Sequence, residues 1–305
     1  MHIQILASPL TMSLLVGTAS WTDPTLIACG RFYPPGVHTP EARLRHYAAQ
    51  FPMVEVDSSY YALPSVRNAR LWAERTPPGF VFDLKAFRLF TGHGALPAAL
   101  PADLRAALSE PAAPLGYRAL PGEVRDELWH RFRQALLPLH AAGKLGAVLF
   151  QFPPWVQAGR RSEALVEDRI DRMAAAPVAV EFRHRSWFED GQRARTLALL
   201  RALGAAHVVV DSPPDFANAV PAVWEATRTD LALVRLHGRN AATWNRPAHR
   251  ASSGRFQYAY SEAELAALLP QLRRLEDSVA QVHVVFNTNH EDQGQNNARR
   301  LLGLL

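Results

Sequence analysis

Residues 178–211 read VAVEFRHRSWFEDGQRARTLALLRALGAAHVVVD. Positions 178–183 and 206–211 are short runs of β-branched and apolar residues, and 187–203 between them carries apolar residues at helical spacing. Strand, helix and strand in this order predict a crossover unit, which joins parallel strands of one sheet.

The alternation continues outward in both directions. Further strands are predicted at 14–20, 53–58, 80–86, 146–152, 231–237 and 282–287, making eight. Helical spacing fills 40–50, 65–75, 122–142, 161–175 and 261–275, with a terminal helix at 293–304 and a weak one at 219–227. Eight such units in 305 residues predict an α/β fold, a single (β/α)8 TIM barrel spanning 14–305. Two connections exceed what the barrel needs, 87–121 after the third strand and 238–260 after the seventh. Both follow strand C-termini, where this fold builds its sites, so they are expected to wall or roof one. Residues 1–13 are expected to lie outside the barrel as an N-terminal extension, with Met12 a candidate start.

Side-chain parity within the strands points to a site. Alternate residues of a barrel strand face inward, and in a packed barrel these are apolar. Here Glu55 and Asp57 share a face of strand two, Asp83 and Lys85 of strand three, Glu181 and Arg183 of strand five, and Arg235 and His237 of strand seven. Gln151, Asp211 and Asn287 are assigned the same parity at the ends of strands four, six and eight. The residues between them, such as Val56, Leu84, Phe150, Phe182, Val210, Leu236 and Phe286, suit packing beneath helices. The polar face is therefore read as the interior. So many charges are costly to bury without partners, and a mixed set in a low-dielectric cup shifts the pKa values that acid–base chemistry uses.

Composition narrows the function classes. With 33 basic and 28 acidic residues the net charge is +5, and the pI is 9.7, yet no basic run reaches five residues. Nucleic acid is therefore an alternative partner rather than the favoured one. Cys29 is the single cysteine, which excludes an internal disulfide and cysteine-based metal cages and suits a reducing cytoplasm. No stretch offers the roughly 18 consecutive apolar residues of a membrane span. Phosphate-cradling GxxxxGK[ST], GxGxxG after a strand, GxSxG and HExxH are absent, so kinase-like, dinucleotide-dependent, serine-hydrolase and zincin readings lose support.

The succession GTASW (17–21), RFYPPG (31–36), VEVDSSYYALP (54–64), FDLKAFRLFTGH (82–93), VLFQFPP (148–154), VEFRHRSW (180–187), VRLHGR (234–239) and FNTNHEDQGQNNARRL (286–301) resembles the YecE-like family, domain of unknown function seventy-two. The resemblance implies a TIM-barrel fold and no assigned reaction. Its motifs fall on Trp21, Glu55, Tyr61, Lys85, His93, Gln151, Glu181, Arg183, His184, Trp187, Arg235, His237, Asn287 and Asn297. Three positions depart from the family pattern. Ala19-Ser20 stands where Ser-Gly is usual, Asp57 where an amide is usual, and Gly92 separates Thr91 from His93.

The expected function is that of an enzyme, a hydrolase or lyase, acting on a small phosphorylated or otherwise anionic substrate. Lys85, Arg183 and Arg235 are expected to bind the anion, Glu181 to act as general base and His237 as acid, with Glu55 or Asp211 orienting them. Lys85, one of two lysines in an arginine-rich chain, is equally read as a base, a Schiff-base nucleophile or half of an ion pair. Substrate contacts are assigned to Gln151, Asn287, Asp57, Trp21, Tyr61, His184 and Trp187. No cofactor is expected. The alternatives are a divalent-metal nuclease or phosphodiesterase, with Glu55, Glu181, Asp211 and His237 as ligands and Trp155, Trp187 and Trp244 stacking on bases, or a ligand-binding protein without turnover.

Overall fold

The computed structural model describes residues 13–108, 113–173, 176–189, 191–214, 216–245 and 254–305. The expected N-terminal extension falls almost wholly outside the described residues. Eight strands are present: β1 (Leu14–Ala19), β2 (Met53–Val56), β3 (Val81–Lys85), β4 (Leu145–Gln151), β5 (Val178–Glu181), β6 (Ala206–Asp211), β7 (Leu231–Leu236) and β8 (Gln281–Phe286). All pair in parallel with their sequence neighbours, and β8 closes on β1, giving the (β/α)8 barrel.

Among the described residues eleven helices surround it: α1 (Pro24–Cys29), α2 (Pro40–Ala48), α3 (Ser58–Tyr61), α4 (Val66–Glu74), α5 (Ala102–Ala106), α6 (Gly122–Ala141), α7 (Arg160–Asp171), α8 (Gln192–Ala202), α9 (Ala241–Trp244), α10 (Glu262–Glu276) and α11 (Gln293–Leu304). Their starts follow local chemistry. Thr39 accepts from Ala42 N ahead of Pro40 in α2, and Ser261 and Glu264 form a reciprocal capping box at α10. The end of α4 is held by Lys144, whose Nζ donates to Ala73 O, Thr76 O and Thr76 Oγ1 at 2.6, 2.7 and 3.0 Å. Among the described residues no helix is long and apolar enough to cross a membrane.

One predicted helix is not there. Residues 219–227 run without regular structure between β6 and β7. Pro221 supplies no backbone donor, Val223 O bonds the His207 ring, and Thr227 Oγ1 accepts from His207 N while donating to Ala205 O. These polar groups are committed to the edge of β6 rather than to an i→i+4 ladder. The predicted helix over 187–203 is also shorter: residues 185–187 form a 3-10 turn, and Gly191 takes φ 78° just before α8.

Both insertions are observed. The one after β3 packs chiefly on α6, where Phe90 stacks on Trp129 at 3.7 Å and Trp129 Nε1 donates to Tyr117 Oη at 2.9 Å. Its first part brings Arg88 and His93 to the Tyr60 ring at the barrel mouth. The insertion after β7 carries α9 and, with residues after β6, forms a small separate apolar cluster of Ala219, Trp244 and Phe256.

Register fixes which side chains face inward, since paired residues on neighbouring parallel strands share a face. Glu55 pairs with Asp83, Lys85 with Leu149, Gln151 with Glu181, and Arg235 with Val285. Arg235 also pairs with Val210, whereas Asp211 pairs with Leu236. The interior of β6 is thus Ala206, Val208 and Val210, and Asp211 points to the outer face. Its assigned parity is corrected accordingly.

Ser20 stands at φ 76°, the left-handed region where glycine costs least. Its hydroxyl accepts from Thr22 N at 3.0 Å, a local bond that offsets part of that cost.

Candidate functional site

A buried ionic layer lies across the upper barrel. Arg235 from β7 is wholly buried; its Nε and Nη2 donate to Glu55 Oε2 and Oε1 on β2 at 2.8 and 2.5 Å, and its Nη1 donates to Glu181 Oε2 at 2.5 Å. Glu181 Oε1 accepts from Gln151 Nε2 at 2.9 Å and Arg183 Nη1 at 3.0 Å, with His237 Nε2 at 3.1 Å. Asn287 Nδ2 stands 2.8 Å from His237 Nδ1. The tautomer that satisfies both partners carries its proton on Nε2, toward Glu181. One fork-shaped guanidinium therefore joins two carboxylates that burial alone would disfavour.

Above this layer lies a second set that reaches solvent. Lys85 Nζ pairs with Asp57 Oδ1 at 3.3 Å, and their side chains are 12% and 14% exposed. Lys85 and Arg88 both sit over the Tyr60 ring, at 5.0 and 5.2 Å. The His93 ring meets Tyr60 at 5.3 Å and Trp155 at 5.4 Å. On the other side the Arg183 guanidinium, in a side chain 10% exposed, lies over Trp244 at 4.7 Å, and Phe256 packs against His237 at 5.4 Å.

These environments separate the titratable groups. Burial pushes the Glu55 carboxyl up to about 7, against the pull of Arg235 and with a push from Asp57. Burial disfavours the Asp57 carboxylate as well, but Lys85 and Arg235 outweigh it and hold Asp57 below its ordinary value. Glu181 is likewise fully buried, yet Arg235, His237 and Arg183 keep it well below the usual carboxylate range. Burial lowers His237 and His93 to about 3 and His207 to about 4.

An acid sensitivity follows from these three imidazoles. Their folded pKa values are depressed, so the stability they contribute is present above about pH 6.5 and is lost as pH falls toward 4. Glu55 acts oppositely, since its folded pKa is raised and its contribution fades as pH rises through about 7. Between pH 4.5 and 6.5 the histidines outnumber it, and the unfolded chain binds more protons. Urea unfolding is expected to give a free energy that drops on acidification from pH 7 to 5.5, by roughly 2 to 3 kcal/mol per unit at the steepest. A flat profile over that range would contradict neutral buried imidazoles.

The family model described as "Protein of unknown function DUF72" matches residues 15–305. This chain belongs to the DUF72 family. It is 32% identical over 294 residues to the UPF0759 protein YunF of Bacillus subtilis (strain 168), covering 96% of this chain and 94% of that one. A DUF72 family protein of Thermotoga maritima MSB8 superposes with a TM-score of 0.74 at 26% identity, covering 96% and 98% of the two chains. One from Enterococcus faecalis V583 gives 0.77 at 24% identity, covering 96% and 95%, a likeness of fold.

In this DUF72 chain Glu55, Asp57, Lys85, Gln151, Glu181, Arg183, Arg235, His237 and Asn287 converge at the barrel mouth, with His93 beside them. Other expected site residues lie elsewhere. Asp211 is held by Arg239 Nη2 at 2.9 Å and Tyr260 Oη at 2.6 Å, beside a cavity of about 540 Å³ bounded also by Arg185, Glu189 and Ser212. Trp187 is wholly buried, stacked on the outward Phe182 at 3.9 Å with Nε1 donating to Val156 O. Trp21 packs edge-on against Trp72 and Phe82. His184 Nδ1 caps the 3-10 turn by accepting from Ser186 N, Tyr61 stands exposed at the rim, and Asn297 ties α11 to the Tyr260 backbone. Trp244 is buried as well, so of the three tryptophans expected to stack on bases only Trp155 is exposed.

Among the described residues no three or more His, Cys, Asp or Glu side chains converge to hold a metal ion. Of the four ligands considered, Asp211 faces away, and Arg235 occupies Glu55 and Glu181. Sequence reading missed Tyr60, Arg88 and Phe256, which come from connections, and His283. That last residue lies on the interior parity of β8, and its Nδ1 contacts both Asp83 oxygens at 3.0 Å.

Proposed function

We propose that the protein is an enzyme that moves a proton on a small anionic substrate, as hydrolysis or elimination requires, with Asp57 as the group that meets the substrate. The carrying observation is a pair of carboxylates two residues apart, Glu55 on β2 and Asp57 just past its end, one pushed up and one held down, with the partly exposed Lys85 beside Asp57. Asp57 Oδ1 is buried against Lys85, while the side chain as a whole is 14% exposed, so the rest of the carboxylate is the part able to accept a proton from substrate. Glu55, deeper and titrating near neutrality, stores that proton and returns it.

Lys85 and Arg183 hold the anion in this reading. Glu181 is the positioning residue between Arg183, Arg235 and His237 rather than the base, because four donors surround it and it stays ionised. His237, neutral at physiological pH, orients Glu181 rather than acting as an imidazolium acid. A cytoplasmic location is part of the proposal and is supported by the lone cysteine.

Inorganic phosphate tests the anion site. At ten to a hundred times its dissociation constant it is expected to stabilise the fold by about 1 to 3 kcal/mol, with the effect lost in Lys85→Met and Arg183→Ala and with no response to a chelator. No phosphate effect, together with stoichiometric metal and a melting temperature lowered by chelation, would overturn the reading.

A further inference from the structure

We infer that the ligand of this mouth carries a flat aromatic ring beside its anionic group, the chemistry of a nucleoside monophosphate, with the ring stacked on Trp155. The inference rests on the anion reading and adds the class of molecule. Trp155 is 64% exposed and follows Pro153 and Pro154, whose fixed φ angles stiffen the turn after β4. An indole left this open buries little surface for the fold and keeps a face free for stacking.

Its position is set by a file of rings. Trp155 meets His93 edge-on, His93 meets Tyr60 edge-on, and the Tyr60 ring lies under Lys85 and Arg88. Consecutive connections after β2, β3 and β4 supply these residues, so the shelf occupies one side of the mouth. The file thus begins under Lys85 and Arg88 and ends on Trp155, two ring contacts away. A ligand with its anion on Lys85 thus has an aromatic face at the far end of this file. Stacking of a base on such a face is sequence-tolerant and strong enough to dominate affinity.

Calorimetry with the full chain separates the outcomes. Adenosine and uridine monophosphates are expected to bind roughly 5- to 100-fold more tightly than inorganic phosphate. Trp155→Ala should remove that advantage while leaving phosphate affinity within about twofold, as expected for an exposed side chain. Nucleotides that bind no more tightly than phosphate would overturn the ring inference and leave the anion reading standing. Ribose 5-phosphate binding as tightly as the nucleotides, with the same dependence on Trp155, would overturn it in favour of a sugar face. A single-stranded oligonucleotide binding far more tightly than the monomers would overturn it in favour of a polymer. Nucleotide binding that depends on Trp155 without any phosphate binding would uphold the ring and defeat the Lys85–Arg183 cradle. Binding of none of these probes would defeat both.

Discussion

Arg235→Gln is expected to yield almost no folded protein at neutral pH. The substitution removes three hydrogen bonds at once and leaves Glu55 without its bidentate partner in a site with no solvent exposure. Breaking a buried pair in this way costs about 3 to 5 kcal/mol, a large share of the roughly 5 to 15 kcal/mol that holds a domain together. The residual fold should respond to acid less steeply than the native protein. Glu55 titrates near neutrality even with Arg235 beside it, so without that cation its neutral form is favoured further, and the variant should lose less stability than the native chain between pH 7 and 5.5. A double variant, Arg235→Met with Glu55→Leu, removes one charge together with its partner. Glu181 keeps Arg183, Gln151 and His237, and soluble protein should return. Chemical denaturation of the three proteins checks this; a well-folded Arg235→Gln at pH 7 would show that the layer is not the anchor of the site.

Gly17→Ala is expected to be nearly as damaging, for a reason unrelated to charge. A Cβ at this position would lie 2.2 Å from Met53 O and 2.8 Å from Met53 Cγ. β1 is bonded to β2 on one side and β8 on the other, so it cannot slide away without parting the barrel. Overpacking of this kind costs about 3 kcal/mol when backbone rather than a side-chain end must yield. Gly116→Ala is the control, because nothing lies within 4 Å of the added carbon. Its melting temperature should stay within a degree or two of the native value, whereas Gly17→Ala should melt at least 6 °C lower. Equal behaviour of the two variants would show that β1 and β2 can separate locally.

The eight strands were legible because each is a compact apolar run, and the ionic layer was legible because charges alternate with large apolar residues along β2, β3, β5 and β7. That rule failed on β6. In AHVVVD the two polar residues, His207 and Asp211, share one face, so taking the polar face as interior shifts the register by one residue. The true register is set by β7, where Val210 pairs with Arg235, a non-local fact. His283 was missed although it sits on the same parity as Asn287, since its partner Asp83 is 200 residues away. Tyr60, Arg88 and Phe256 come from connections whose course depends on packing rather than on periodicity. Trp187 and Trp21 were misplaced because a motif position says nothing about which side of a strand the chain turns toward; Trp187 joins Phe182 outside the barrel.

The two lysines of the chain end in opposite circumstances. The ammonium of Lys144 is spent on three oxygens at the end of α4, while Lys85 keeps one loose partner and a route to water. Reductive methylation with isotopic formaldehyde would therefore place its resolved side-chain label at Lys85 first, making the barrel mouth a natural single-channel beacon for magnetic resonance. With two lysines in 305 residues, the protein needs no engineered probe to watch its candidate anion cradle fill and empty.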